Sequence, residues 1–331
     1  MVLIIAEAGV NHNGDIKLAR ELIRKAKYIG ADIIKFQSFK ANLLATPSAS
    51  KAKYQIKNTN IEESQMKMLK RLELDIESHT NLMKYCKEIG IEFLSSPFDL
   101  ESIKFLSELG VSRFKIPSGE ITNLPYLRYI GSLGKPIILS TGMSSMKEIE
   151  LAINILKSSS LDPNLITILH CTSQYPAPFS EINLRAMNTI SKTLNVAVGY
   201  SDHSSGIEVA IGAVSLGAKV IEKHLTLDKN MPGPDHKASL EPDEFKQMVQ
   251  SIRNIEKALG RPVKEATDCE LDNRKLVRKS IVAKCFIDIG EDFTEENLTT
   301  KRPGIGISPM EWDDVLSRKA DKKYYENDLI D

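Results

Sequence analysis

Apolar and polar positions alternate along this chain in one repeated pattern. A short run rich in β-branched residues ends in a cluster of polar, chemically capable ones, and a stretch with helical spacing follows. The runs fall at residues 2–8, 31–39, 92–98, 113–119, 136–142, 166–173, 195–203 and 219–227. Eight strand–helix units within roughly 260 residues predict an α/β fold, the (β/α)8 TIM barrel, with its active site at the C-terminal strand ends. The intervening stretches agree. Residues 16–29 place Leu18, Leu22, Ile23, Ala26 and Ile29 on one stripe. Residues 144–156 open with serines suited to N-capping and carry Glu148 in the first turn. Residues 241–259 read as a long amphipathic helix that closes the barrel.

Two stretches break the pattern. Between the second run and the helix near residues 76–89 lie roughly 35 residues rich in Lys, Asn, Ser and Gln, longer than an ordinary connection. Because this segment leaves the catalytic face, it reads as a lid or substrate wall, with disorder the alternative. After residue 259 the texture changes. Residues 260–273 are polar and read as a linker. Residues 274–331 alternate short apolar pieces such as SIVAKCFI with Gly- and Pro-bearing turns, which favours a small β-rich domain. The expected division is a catalytic barrel over 1–259, a linker over 260–273 and the small domain over 274–331.

Composition narrows the class. Of 331 residues, 44 are Lys or Arg and 44 are Asp or Glu, so the formal net charge is zero. That balance gives no reason to expect nucleic acid or an acidic membrane surface as a partner. The first run starts at Val2 with no basic, apolar leader, and no run reaches the ~20 apolar residues of a membrane span. Cys86, Cys171, Cys269 and Cys285 are scattered without a CxxC pair. They read as reduced thiols, and a cytoplasmic location is expected.

The strand ends carry the chemistry. The seventh and eighth end in Ser201-Asp202-His203 and Glu222-Lys223-His224. Histidines on adjacent strands could share one divalent ion, and two imidazoles with oxygen donors suit Mn²⁺, Fe²⁺ or Zn²⁺; the bland alternative is a pair of structural histidines. His79 reads as a solvated helix residue. Lys35 and Lys115 sit among apolar neighbours in IIKFQ and FKIPSGE, where an ammonium needs an anion. With the hydroxyls of Ser118, Ser140, Thr141, Thr172, Ser173 and Ser201 they could hold a phosphate. Alternatively, they pair with Glu7, Glu120 or Glu222. Glu7, Glu120 and Asp235 are candidate acids, bases or sugar ligands, or else structural carboxylates, and Gln37 and Tyr175 add neutral hydrogen-bonding groups. No P-loop and no GxGxxG occurs. A metal, an anion pocket and a sugar-like rim point to carbon–carbon chemistry on a phosphorylated small molecule.

The ordered motifs AEAGVNHNGD, KFQSF, KIPSGE, ILSTGM, HCTSQYP, GYSDHSSG, EKHLTLD with GPDHKAS, and KRPGIGISP resemble the sialic acid synthase family over nearly the whole chain. The resemblance implies a barrel joined to an antifreeze-like (SAF) domain in a domain-swapped homodimer. It implies condensation of phosphoenolpyruvate with an N-acetylated amino sugar, with release of phosphate. His203 and His224 match Mn²⁺ ligands. Lys115, Ser140, Thr141 and Ser201 match positions around phosphoenolpyruvate, with Lys35 beside them. Ser173 stands where many relatives carry asparagine near the phosphate. Gln37, Glu120, Tyr175 and Asp235 match the sugar side, and Glu7 an essential first-strand carboxylate. Arg302 matches an arginine that reaches the N-acetyl group from the partner subunit. The expected substrate is N-acetylmannosamine, giving N-acetylneuraminate. One alternative is 2,4-diacetamido-2,4,6-trideoxymannose, the legionaminate branch. Others are a non-catalytic carbohydrate-binding protein and a shikimate-type synthase acting on an aldose phosphate.

Overall fold

Each of the eight apolar runs is a strand in the computed structural model, which describes residues 1–59, 61–159 and 161–331. They are β1 (Leu3–Gly9), β2 (Ile33–Ser38), β3 (Glu92–Pro97), β4 (Phe114–Ile116), β5 (Ile137–Ser140), β6 (Ile166–Cys171), β7 (Ala197–Asp202) and β8 (Val220–His224). Parallel ladders join them in the order β3-β2-β1-β8-β7-β6-β5-β4. β3 and β4 lie side by side and bring the cylinder nearly to closure, although no ladder among the described residues joins them. Strands covered on both faces have no solvent side to mark with polar residues, which is why they read as apolar runs.

The surrounding helices start where the side chains dictate. Asp15, Asp75 and Asp99 accept backbone N–H groups at the heads of Ile16–Tyr28, Ile76–Ile89 and Leu100–Leu109. Ser145 and Glu148 form a reciprocal capping box on Met146–Ser158. Of the expected stripe, Leu22, Ile23, Ala26 and Ile29 are buried in and after Ile16–Tyr28, with Ala19 in place of the half-buried Leu18. His79 corrects the sequence reading. It is 2% exposed, because its helix turns it toward Phe93 and Phe105. Its Nδ1–H donates to the Asp75 carbonyl, and its Nε2 faces the Ser38 hydroxyl at 2.8 Å.

Inside the barrel, the two-residue strand period stacks side chains in layers. Ile5, Ile33, Leu94, Ile138, Leu169 and Val220 form a closed apolar plug. Two residues further along each of those strands stand Glu7, Lys35, Ser96, Ser140, Cys171 and Glu222, all buried. Two further again, Gln37, Ser173 and His224 follow, joined by His203 two residues beyond Ser201. An apolar floor, a charged layer and an imidazole layer are therefore built in by periodicity alone.

The long connection after β2 is ordered into three short helices, Ala41–Leu44, Lys53–Thr59 and Gln65–Leu72. Such short helices are marginal alone and depend on packing. Met68 and Leu72 supply it, forming a satellite core with Val10 and Phe39 against which Leu44, Leu69 and Phe98 lie. Buried Lys51 ties the segment internally, its ammonium 2.7 Å from Thr59 Oγ1 and 3.7 Å from Glu63.

The chain forms two compact units, Met1–Gly260 and Arg261–Asp331. The second holds a two-stranded antiparallel sheet, β9 (Ser280–Ala283) with β10 (Leu298–Lys301). Its core is separate, centred on Ile281, Ile287, Phe293, Leu298, Val315 and Tyr324. Within the stretch read as a linker, Thr267 and Glu270 cap a helical turn that continues into Leu271–Val277. Among the described residues, all four cysteines are free thiols and no helix is long and apolar enough to cross a membrane.

Candidate active site

A cavity of about 520 Å³ opens above the barrel plug. Its floor is the charged layer. Lys35 Nζ lies 2.7 Å from Glu7 Oε2 and 3.6 Å from Glu222 Oε2, and donates to Ser96 Oγ at 3.1 Å. Lys115 Nζ lies 3.5 Å from Glu222 Oε1 and donates to Ser140 Oγ at 2.7 Å. Ser201 Oγ donates to Glu222 Oε1 at 2.9 Å. The two readings of the lysines thus coincide: they are carboxylate-paired, and they face the cavity.

The two carboxylates titrate far apart. Burial raises both, but at Glu222 Lys115 and Lys35 outweigh it and hold the carboxyl down at about 2. At Glu7 burial prevails over Lys35, with the charge of Glu222 adding to it, and the carboxyl rises to about 7. Lys35 thus serves one firmly ionised carboxylate and one that exchanges its proton near neutrality, an arrangement suited to acid–base work. Burial, reinforced by Lys35, pulls Lys115 down despite Glu222.

The next layer holds the imidazoles. β1 and β8 register Glu7 opposite His224, while His203 follows β7. The rings of His203 and His224 are 5.7 Å apart between centroids. His203 Nδ1–H donates to the Thr172 carbonyl at 2.7 Å, which leaves the lone pair on Nε2. His224 Nδ1 is buried and has no hydrogen-bond partner among the described residues. Burial holds both rings below the ordinary histidine value, in the neutral form a metal requires. Among the described residues, no three His, Cys, Asp or Glu converge in metal-holding geometry. What these residues offer an ion is two neutral imidazoles without a third protein ligand of those types.

The rim is made of hydrogen-bonding side chains. Tyr175 lies 4.2 Å from His203 and 5.0 Å from Tyr54, centroid to centroid, so the insertion reaches over the imidazoles. Asn58 Nδ2 donates to the Pro234 carbonyl beside Asp235 at 2.7 Å. Burial lifts Asp235 to about 6. Burial also raises Glu120, which accepts from Asn123 Nδ2 at 2.6 Å. Gln37, Ser118 and Ser173 add further polar groups to the lining, and Leu44, Leu69 and Phe98 an apolar side.

One expected residue of the barrel, Thr141, points away from this cavity. Thr141 donates its hydroxyl to the Leu169 carbonyl at 3.0 Å and lines a neighbouring cavity. Consecutive strand residues point to opposite faces, so Ser140 facing inward turns Thr141 away. Arg302 belongs to the second unit, where it is exposed.

A profile of the NeuB family matches residues 22–264. The chain belongs to the NeuB family. A SAF domain profile matches residues 278–331. Among NeuB-type relatives, an N,N'-diacetyllegionaminic acid synthase of Campylobacter jejuni subsp. jejuni serotype O:2 is 56% identical over 99% of this chain and 98% of its own. One of the same name from Legionella pneumophila subsp. pneumophila is 49% identical over 96% of this chain and 89% of its own. The crystal structure of an N-acetylneuraminic acid synthetase from Leptospira borgpetersenii serovar Hardjo-bovis, with citrate, superposes with a TM-score of 0.72 at 34% identity. It covers 82% of this chain and 90% of that one.

Within this NeuB-family barrel, sequence reasoning treated Glu222 only as a possible lysine partner, yet it joins both ammoniums. Stepping back two residues from His224 finds it, as stepping on two from Leu94 finds Ser96. The side chains contributed by the insertion carried no comparable signal.

Glu7 gives a pH test. Its folded value of about 7 lies above its ordinary 4.5. Its contribution to stability is therefore complete below 4.5 and is lost as pH rises through about 7. Glu7→Gln removes that loss. Its melting temperature should gain on the wild type between about pH 5 and pH 8.5, and parallel curves would contradict the assignment.

Proposed function

We propose that the protein condenses phosphoenolpyruvate with 2,4-diacetamido-2,4,6-trideoxymannose, giving N,N'-diacetyllegionaminate and phosphate. The observation that carries the reaction class is the buried Glu7–Lys35–Glu222–Lys115 layer beneath two neutral imidazoles. The diacetamido sugar draws its support from the relatives at 56% and 49% identity, both named for diacetyllegionaminic acid. It takes the place of N-acetylmannosamine, the substrate expected first.

Lys115 with Ser140, Ser118 and Ser173 receives the phosphate, and Lys35 neutralises the carboxylate of the same substrate. Carbon 3 of phosphoenolpyruvate attacks the open-chain aldehyde, and positive charge develops at carbon 2, where ionised Glu222 offsets it. Protonated Glu7 gives its proton to the new alkoxide. Its carboxylate then takes one from the water that adds at carbon 2. The carbon 2 hydroxyl collapses to the keto group as the carbon–oxygen bond to phosphate breaks, and phosphate leaves with the bridging oxygen and the hydroxyl's proton. Held by His203 and His224, a divalent ion such as Mn²⁺ would supply Lewis-acid polarisation of the aldehyde.

The test is phosphate release from phosphoenolpyruvate with Mn²⁺ and each sugar. Release should depend on sugar and be faster with the diacetamido compound. No sugar-dependent release would remove the proposal, as a carbohydrate-binding protein predicts.

A further inference from the structure

The layers of the barrel order the substrate along the depth of the cavity. Phosphoenolpyruvate belongs with the lysines of the charged layer, and the reacting end of the sugar with the imidazoles above it. Carbons 4 to 6 of the sugar, farthest from the attacked aldehyde, then extend toward the mouth. The wall there is supplied by the insertion after β2. Tyr54 of its second helix stacks on Tyr175, which lies over His203. Its third helix, Gln65–Leu72, places Gln65 and Leu69 one turn apart, and both line the cavity with Leu44 and Phe98. Leu44, Leu69 and Phe98 are only partly buried and rest on the buried Met68 and Leu72, so they form one apolar shelf on a firm base.

An apolar shelf beside an amide distinguishes sugars by chemistry. A hydroxyl laid on it loses water and finds no partner, whereas a methyl group gains by burial. An acetamido group can exchange hydrogen bonds with a glutamine amide, which has both a donor and an acceptor. We infer that the insertion is the sugar-reading element of this enzyme. Leu44, Leu69 and Phe98 receive the carbon-6 methyl, and Gln65 binds the acetamido group at carbon 4. N-acetylmannosamine, with a hydroxyl at each of those carbons, is disfavoured there. The inference rests on the proposed condensation and adds to it the residues that choose the sugar.

The experiment is the ratio of kcat/KM for the two sugars, measured on the same preparation so that the fraction of active protein cancels. Leu69→Asn should lower the ratio of diacetamido sugar to N-acetylmannosamine by about tenfold or more, the scale of hydrophobic-pocket discrimination. Gln65→Ala should lower it by about fivefold, the worth of one hydrogen bond. A ratio within twofold of the wild type in Leu69→Asn overturns the shelf, and the same result in Gln65→Ala overturns the amide contact. Should Leu69→Asn fail to accumulate, Leu44→Ser carries the same expectation and the same overturning result. Wild-type protein without sugar-dependent phosphate release would sink the underlying reaction. An active wild type whose ratio these variants leave fixed would sink only this inference.

Discussion

Lys115→Met is expected to lower kcat/KM for phosphoenolpyruvate by at least about 10³-fold, or about 4 kcal/mol at ~1.4 kcal/mol per factor of ten. Lys115 is 2% exposed, 3.5 Å from Glu222 and bonded to Ser140, so it works without competing water. Its loss removes the proposed phosphate ligand and leaves the Glu222 charge with Lys35 and Ser201 alone. Breaking one side of a buried ion pair costs about 3–5 kcal/mol. Denaturant unfolding should show that loss beside the kinetic one. Adding Glu222→Gln should recover part of that stability, because the buried carboxylate that lost one of its two ammoniums is gone, without recovering turnover. A single variant with nearly normal kinetics would mean that Lys115 is a structural cation.

The second large effect is expected at the imidazoles. His203→Asn or His224→Asn should abolish Mn²⁺ binding by calorimetry and reduce turnover by more than about 10³-fold, since either change leaves one protein ligand. Folding should persist, because either change leaves the apolar plug beneath the imidazole layer intact. Both rings are held below the ordinary histidine value by burial, so protons compete with an ion there less than they would at free imidazoles. Unchanged affinity in both variants would exclude this pair as the ion's ligands.

The barrel was legible because its strands are buried on both faces, so eight apolar runs stood out from amphipathic helices. Most of the pocket was legible for a related reason: at the ends of such runs, polar residues at alternate positions face the barrel mouth. Period-two counting also separates Ser140 from Thr141, and it would have promoted Glu222. Other features were set by contacts distant in sequence. Glu222 on β8 meets Lys35 on β2 across the single intervening strand β1, although most of the barrel separates them in sequence, and His79 is buried because β3 and a neighbouring helix supply Phe93 and Phe105. The insertion's helices are too short for periodicity to declare them. Only the satellite core of Val10, Phe39, Met68 and Leu72 shows which side faces the cavity.

The most direct test of the mechanism follows the oxygen that bridges carbon 2 and phosphorus in phosphoenolpyruvate. With that atom as oxygen-18, the diacetamido sugar and Mn²⁺, mass spectrometry of the products should find the label in inorganic phosphate. Label retained in the 2-keto acid would mean that phosphorus–oxygen cleavage occurs instead, contradicting water addition at carbon 2 above the Lys35–Glu222–Lys115 floor.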